Sequence, residues 1–250
     1  MPLLSYDRQG SGPTLVWLHG FTQTRSSAHQ FRSILAGTNE LLTPDLPGHG
    51  SAAQMSATLD ETADLLARAL PDEPVALGGY SFGARVALHL ALRHGQRFSR
   101  LVLLGASRGI RDSAERAARR QRDEALASRI EAIGTEAFLD EWLAQPLFAS
   151  LAPDVIERAS RSADPRGLAN SLRFSGTGTQ EWLGPKLHLI SVPTLALAGS
   201  NDAKFSREAE AIASGVENGA LHLVEGAGHA AHLERPEPTA RAIASFLLNE

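Results

Sequence analysis

The chain has 250 residues, 43% of them hydrophobic, a formal net charge of −4 and no cysteine. That length can bury one full α/β core with an insertion, and the mild acidity gives no overall attraction to nucleic acid or an anionic membrane, so any anion site must be local. Disulfides, thiol catalysis and zinc–thiolate centres are excluded by composition, and apart from Lys186 and Lys204 the basic side chains are all arginine.

In chain order, residues 1–9 read as an edge strand, Gly10-Ser11-Gly12-Pro13 as a turn, and residues 14–18 as a buried strand ending at His19-Gly20-Phe21. This apolar run is too short to cross a bilayer, and Asp7 and Arg8 precede it without a signal-peptide core, so a soluble cytoplasmic protein is expected. Gly20 permits close backbone approach to a ligand, which makes the Phe21 N–H a candidate oxyanion donor; His19 reads as a loop-packing residue. A helix over 30–36 and a strand over 40–43 follow. The strand runs into Pro44-Asp45-Leu46-Pro47-Gly48-His49-Gly50, a rigid loop whose Asp45 and His49 are expected to hold its shape. Residues 58–70 form an amphipathic helix, capped by Thr58 or Asp60 and stopped by Pro71.

Val75-Ala76-Leu77-Gly78 then reads as a buried strand, and from Phe82 apolar residues recur at helical spacing. Gly79-Tyr80-Ser81-Phe82-Gly83 therefore falls on a strand-to-helix turn, the setting of a nucleophile elbow. There the Ser81 hydroxyl is lifted to a helix N-terminus, and the Phe82 N–H becomes the second oxyanion donor. After a strand over 101–105 the alternation stops. Residues 110–182 read as an inserted helical cap rich in Arg, Ala and Glu, and the strands resume at 192–198 and 220–224, with helices over 206–214 and 238–248. The pattern predicts an α/β fold with a doubly wound, mostly parallel sheet, its core formed by residues 1–109 and 183–250.

A serine hydroxyl needs a base and a carboxylate to orient that base. Asp202, just past the strand at 192–198, and His229, just past the strand at 220–224, supply them in the order Ser, Asp, His that this topology uses. His232 is the competing base and Asp45 the competing acid, though Asp45 precedes the serine. Arg85 lies one helical turn beyond Ser81 on the same face, where a salt bridge and a substrate carboxylate are the alternatives. Within Glu115 to Glu124 the charges nearly cancel; Glu115 can pair with Arg119, and one or two arginines are left to face the site. Trp142 is a core aromatic of the cap or a pocket wall.

Taken together, the motifs resemble the α/β-hydrolase superfamily, and within it the 2-succinyl-6-hydroxy-2,4-cyclohexadiene-1-carboxylate synthases of menaquinone biosynthesis. The segments Trp17 to Phe21 and Asp45 to Gly50 are widespread; Arg85 after the elbow, Arg120-Gln121-Arg122, and Trp142 through Gln145-Pro146-Leu147-Phe148 are more particular. The resemblance implies an α/β-hydrolase fold, a triad of Ser81, Asp202 and His229, and a pocket lined by Tyr80 and Trp142. It implies carboxylate-binding arginines at Arg85, Arg120 and Arg161, with Arg158 or Arg166 as substitutes in a loosely matching stretch. The implied reaction is elimination of pyruvate from a small polycarboxylate, without cofactor or metal, by a monomer or weak homo-oligomer. A hydrolase acting on a carbon–carbon bond or an ester of an acidic substrate is the nearest alternative; a non-catalytic binding protein would not need all three triad members.

Overall fold

The computed structural model describes residues 4–248, so the first three residues of the expected edge strand lie outside the described residues. A seven-stranded sheet organises the chain, with β1 (Tyr6–Gln9), β2 (Thr14–Leu18), β3 (Glu40–Pro44), β4 (Val75–Tyr80), β5 (Phe98–Leu104), β6 (Thr194–Gly199) and β7 (Gly219–Val224) in the order β1-β3-β2-β4-β5-β6-β7. Only β1 runs antiparallel to its neighbour. The strand alternation sorts the core: Val16 and Leu18 pack with one apolar layer, while Leu15 and Trp17 pack with the other. The first layer holds α2 (Leu59–Ala69), α3 (Phe82–His94) and α6 (Ala203–Gly215); the second holds α1 (His29–Leu35) and α8 (Pro236–Leu248). Central leucines such as Leu77 and Leu103 are fully buried, each worth about 2 kcal/mol of removed apolar surface.

Local chemistry sets the element ends. Thr58, not Asp60, caps α2: its hydroxyl accepts the Glu61 N–H and Glu61 reaches back to the Thr58 N–H at 2.8 Å, a reciprocal box that satisfies two helix-end donors. The helix expected over 206–214 starts earlier, at Ala203, because the Asp202 carboxylate accepts the Phe205 N–H at 3.1 Å.

Between β5 and β6 the chain leaves the sheet. It forms α4 (Ser113–Leu143), short 3-10 turns and α5 (Pro165–Ser175), with α4 broken at Gly134, whose φ of 76° and ψ of 169° no helix accommodates. Ile130, Phe138, Leu168 and Leu172 give this insert its own apolar cluster. Its far end is sewn to the loop after β2. The Ser162 N–H donates to Thr22 O at 2.8 Å, Thr24 and Ser27 hydroxyls donate to Ser160 O, Gln23 and Arg161 form an antiparallel bridge, and Glu157 accepts the His29 N–H at 2.9 Å. Among the described residues no helix is long and apolar enough to cross a membrane.

Candidate active site

β4 and α3 meet at Ser81, whose φ of 52° and ψ of −104° lie outside every region comfortable for an L-residue. The turn is that tight because the backbones around it touch. A Cβ on Gly79 would sit 2.5 Å from the Gly83 carbonyl carbon, and one on Gly83 would sit 2.2 Å from Leu18 O. The Ser81 N–H, donating to Leu104 O at 2.8 Å, ties the elbow to β5.

The loop after β7 brings His229 Nε2 to 3.1 Å from Ser81 Oγ, and His229 Nδ1 to 2.9 Å from Asp202 Oδ2. A carboxylate only accepts, so the imidazole carries its proton on Nδ1 and presents Nε2 to the serine hydroxyl. Burial raises the Asp202 pKa, but the His229 bond and the Phe205 N–H outweigh it and leave the carboxyl below its usual range. Glu234, which the sequence reading passed over, accepts the N–H groups of Gly228 at 2.7 Å and Ala230 at 3.1 Å, bracketing His229 from both sides. Phe205 packs its ring 4.3 Å from the imidazole.

Phe21 and Phe82, the two residues expected to supply oxyanion donors, line the same pocket as Ser81. Phe82 is the first residue of α3, where N–H groups have no intrahelical partner, and neither its N–H nor that of Phe21 is used by another described group. The competing residues are placed elsewhere. His19 donates through Nδ1 to Gly20 O and accepts the Leu46 N–H at Nε2; Asp45 accepts the Arg25 and Ser51 N–H groups; His49 contacts Pro47 O at 3.0 Å. His232 Nε2 meets the Gln23 amide rather than the serine.

A pocket of about 1030 Å³, mouth included, opens over Ser81 and is lined by Tyr80 and by an aromatic wall of Phe21, Trp142 and Phe148. Trp142 lies edge-to-face with Phe21 at 5.2 Å and stacks on Phe138 at 5.8 Å. Four cations reach the pocket: Arg85, Arg119, Arg161 and Lys204.

Their partners differ. Arg85 is 9% exposed, has no carboxylate partner among the described residues, donates to Gln180 Oε1 at 3.3 Å and lies over Phe82; burial, then the Arg119 charge, bring its pKa down to about 10. Arg161 spends Nε on Ile156 O and Nη1 on Thr22 Oγ1 at 2.7 Å, also without a carboxylate, and burial lowers its pKa. Arg119 pairs with Asp123 at 2.7 Å, not with Glu115, and Asp123 also accepts the Gly178 N–H at 2.9 Å.

Arg120 does not line this pocket. It is exposed and faces an outer groove beside Arg173 and Phe174, because one residue on a helix turns the side chain by about 100° and the pocket-facing position is Arg119. Arg158 pairs with Glu136 and Asp140 at the surface and Arg166 is exposed; neither lines the pocket that Arg161 lines. Among the described residues no acid, histidine and cysteine cluster could hold a metal ion.

Residues 15–242 match the family model described as Alpha/beta hydrolase family. The 2-succinyl-6-hydroxy-2,4-cyclohexadiene-1-carboxylate synthase of Yersinia pseudotuberculosis serotype O:1b is 34% identical over 251 residues, covering 96% of this chain and 89% of that protein. The structure of MenH from S. aureus superposes with a TM-score of 0.91 at 34% identity, covering 99% of this chain and 98% of the other. A malate-bound thermophilic esterase from Thermogutta terrifontis has a TM-score of 0.85 at 28% identity, covering 98% and 92%.

Proposed function

We propose that this chain, which belongs to the α/β-hydrolase family and within it to the 2-succinyl-6-hydroxy-2,4-cyclohexadiene-1-carboxylate synthases, eliminates pyruvate from 2-succinyl-5-enolpyruvyl-6-hydroxy-3-cyclohexene-1-carboxylate. One observation carries the reading beyond the family: Arg85 and Arg161 are two largely buried guanidiniums without carboxylate partners in the pocket that holds Ser81. A buried cation is costly unless an anion completes it, so the missing partners belong to the ligand. A substrate with three carboxylates supplies them.

In this reading His229, oriented by Asp202, polarises Ser81, whose oxygen removes the ring proton at C2, next to the succinyl ketone. The ketone oxygen gains charge and is held by the N–H groups of Phe21 and Phe82. The electron pair forms the C2–C3 double bond, the C3–C4 double bond shifts to C4–C5, and the C5–O bond breaks. The abstracted proton passes through His229 to the departing enolpyruvate, which leaves as pyruvate, and the ring is left as a conjugated diene. No acyl-enzyme forms. Residues 110–182 serve as the cap over a core of residues 1–109 and 183–250, contributing Arg119, Arg161 and Trp142 to the substrate.

The same serine, base and free N–H groups also suit acyl transfer to water on an acidic ester, the second reading. A spectrophotometric assay with the enolpyruvyl substrate, following diene and pyruvate, tests the first. The expected result is turnover abolished by Ser81→Ala, with no burst from a chromogenic ester. A folded protein that leaves this substrate intact and shows a burst on acidic esters would be a hydrolase.

A further inference from the structure

The orientation of the Gly20–Phe21 peptide is set by groups outside it. A trans peptide is planar, so the Gly20 carbonyl and the Phe21 N–H point in opposite directions. His19 Nδ1 at 2.9 Å and the Gln23 N–H at 3.1 Å hold that carbonyl. The Gly20 N–H is held in turn by Gln23 Oε1 at 2.9 Å, so Gln23 closes the turn with both backbone and side chain. The other end of its amide lies 3.1 Å from His232 Nε2.

A backbone N–H only donates, which fixes the amide: its oxygen faces Gly20, its NH₂ faces His232, and His232 accepts through Nε2. Gln23 is 3% exposed and His232 1%, with the His232 ring 4.1 Å from Tyr80. His232 belongs to the short helix α7 (Ala231–Glu234), directly after the loop carrying His229. Thr22, next to Phe21, is held at a φ of 68°, a conformation its side chain disfavours, so the turn depends on these outside bonds.

We propose that Gln23 and His232 are positioning residues that aim the Phe21 N–H at the developing oxyanion and keep it in register with His229. The proposal rests on the reading of Ser81 with Phe21 and Phe82 given above, and its test separates the two. Gln23→Met keeps length and volume but removes both side-chain hydrogen bonds. Gln23→Glu keeps an acceptor for the Gly20 N–H, and His232→Phe removes only the far partner.

Each variant is assayed for kcat and KM on the enolpyruvyl substrate, and for its rate of inactivation by an alkyl fluorophosphonate. In that inactivation Ser81 Oγ bonds to phosphorus, its proton goes to His229, fluoride leaves, and the phosphoryl oxygen needs the same two N–H groups. Gln23→Met is expected to lower kcat about 10- to 100-fold with KM within about threefold, and to slow phosphonylation by a similar factor. Gln23→Glu recovers part of both losses. His232→Phe lowers both by about three- to tenfold, and decides the matter by the same readouts should Gln23→Met not fold. Phosphonylation at the wild-type rate in a folded Gln23→Met overturns the proposal, as does a loss that merely tracks the folded fraction. A wild-type protein that is phosphonylated but does not turn over the enolpyruvyl substrate removes the lyase reading, and the phosphonylation rates still decide this one.

Discussion

Replacing Arg85 by methionine is expected to stabilise the protein while disabling it. Among the described residues the guanidinium has one polar partner, Gln180, and no carboxylate, and burial followed by the Arg119 charge lowers its pKa from the ordinary arginine value to about 10. A cation with a folded pKa below its unfolded value destabilises the fold. That penalty is complete below about pH 10, shrinks above it as the folded chain gives up the proton first, and is gone once the unfolded chain has deprotonated as well. At roughly 1.4 kcal/mol per pH unit the separation amounts to about 3 kcal/mol. Methionine removes that penalty and forfeits the Gln180 bond and the Phe82 contact, together about 1–2 kcal/mol. The net gain of about 1–2 kcal/mol raises Tm by roughly 2–8 °C in a chain of this size. Over the same substitution kcat/KM falls about 100-fold or more, the scale of one lost charge-assisted contact. Scanning calorimetry beside steady-state kinetics checks both halves. A lower Tm would mean that the fold itself uses the charge, and a higher Tm with activity intact would remove Arg85 from the substrate's reach.

Arg119→Ala should lower kcat/KM by about tenfold or more while Arg120→Ala stays within about twofold; the reverse order in parallel kinetics would return the role to Arg120. Acid should destabilise the protein through its neutral histidines. Burial, then the neighbouring His19 charge, holds His49 at about 3, so between that value and 6.5 the unfolded chain binds a proton that the folded chain does not. Stability is expected to drop by about 3 kcal/mol on this account from pH 6.5 to pH 4. His49→Gln should flatten the fall in Tm over that window, and an unchanged slope would dismiss His49 as its source.

The features that could be read from the sequence are those fixed by local chemistry. Gly79 and Gly83 mark the elbow around Ser81 because contacts with neighbouring backbone forbid side chains at those two positions, and Asp202 and His229 follow strand ends that alternation locates. The α/β fold was within reach through the strand–helix alternation, and the synthase family through the resemblance of whole motifs such as Arg85 after the elbow. The phase of α4 was not. From Glu115 to Glu124 charges stand almost everywhere, so no apolar stripe says which arginine faces inward. Only the structure separates the i,i+4 pairs Glu115–Arg119 and Arg119–Asp123: Asp123 is buried, and it fixes the face. Glu234 and Gln23 were invisible because each acts on backbone N–H groups, and such a bond leaves no spacing pattern behind it.

The seam between the insert and the loop after β2 constrains how this scaffold can be re-engineered. Arg161 is at once a pocket-lining cation and a stitch, donating to Thr22 while its backbone bridges Gln23. Exchanging the insert for one from another enzyme therefore changes more than the pocket's lining, because it also cuts the threads that hold the turn carrying the Phe21 N–H. A graft that keeps residues 157–162 from the host, and takes only what precedes them from the donor, alters substrate choice while leaving that turn in its own hands.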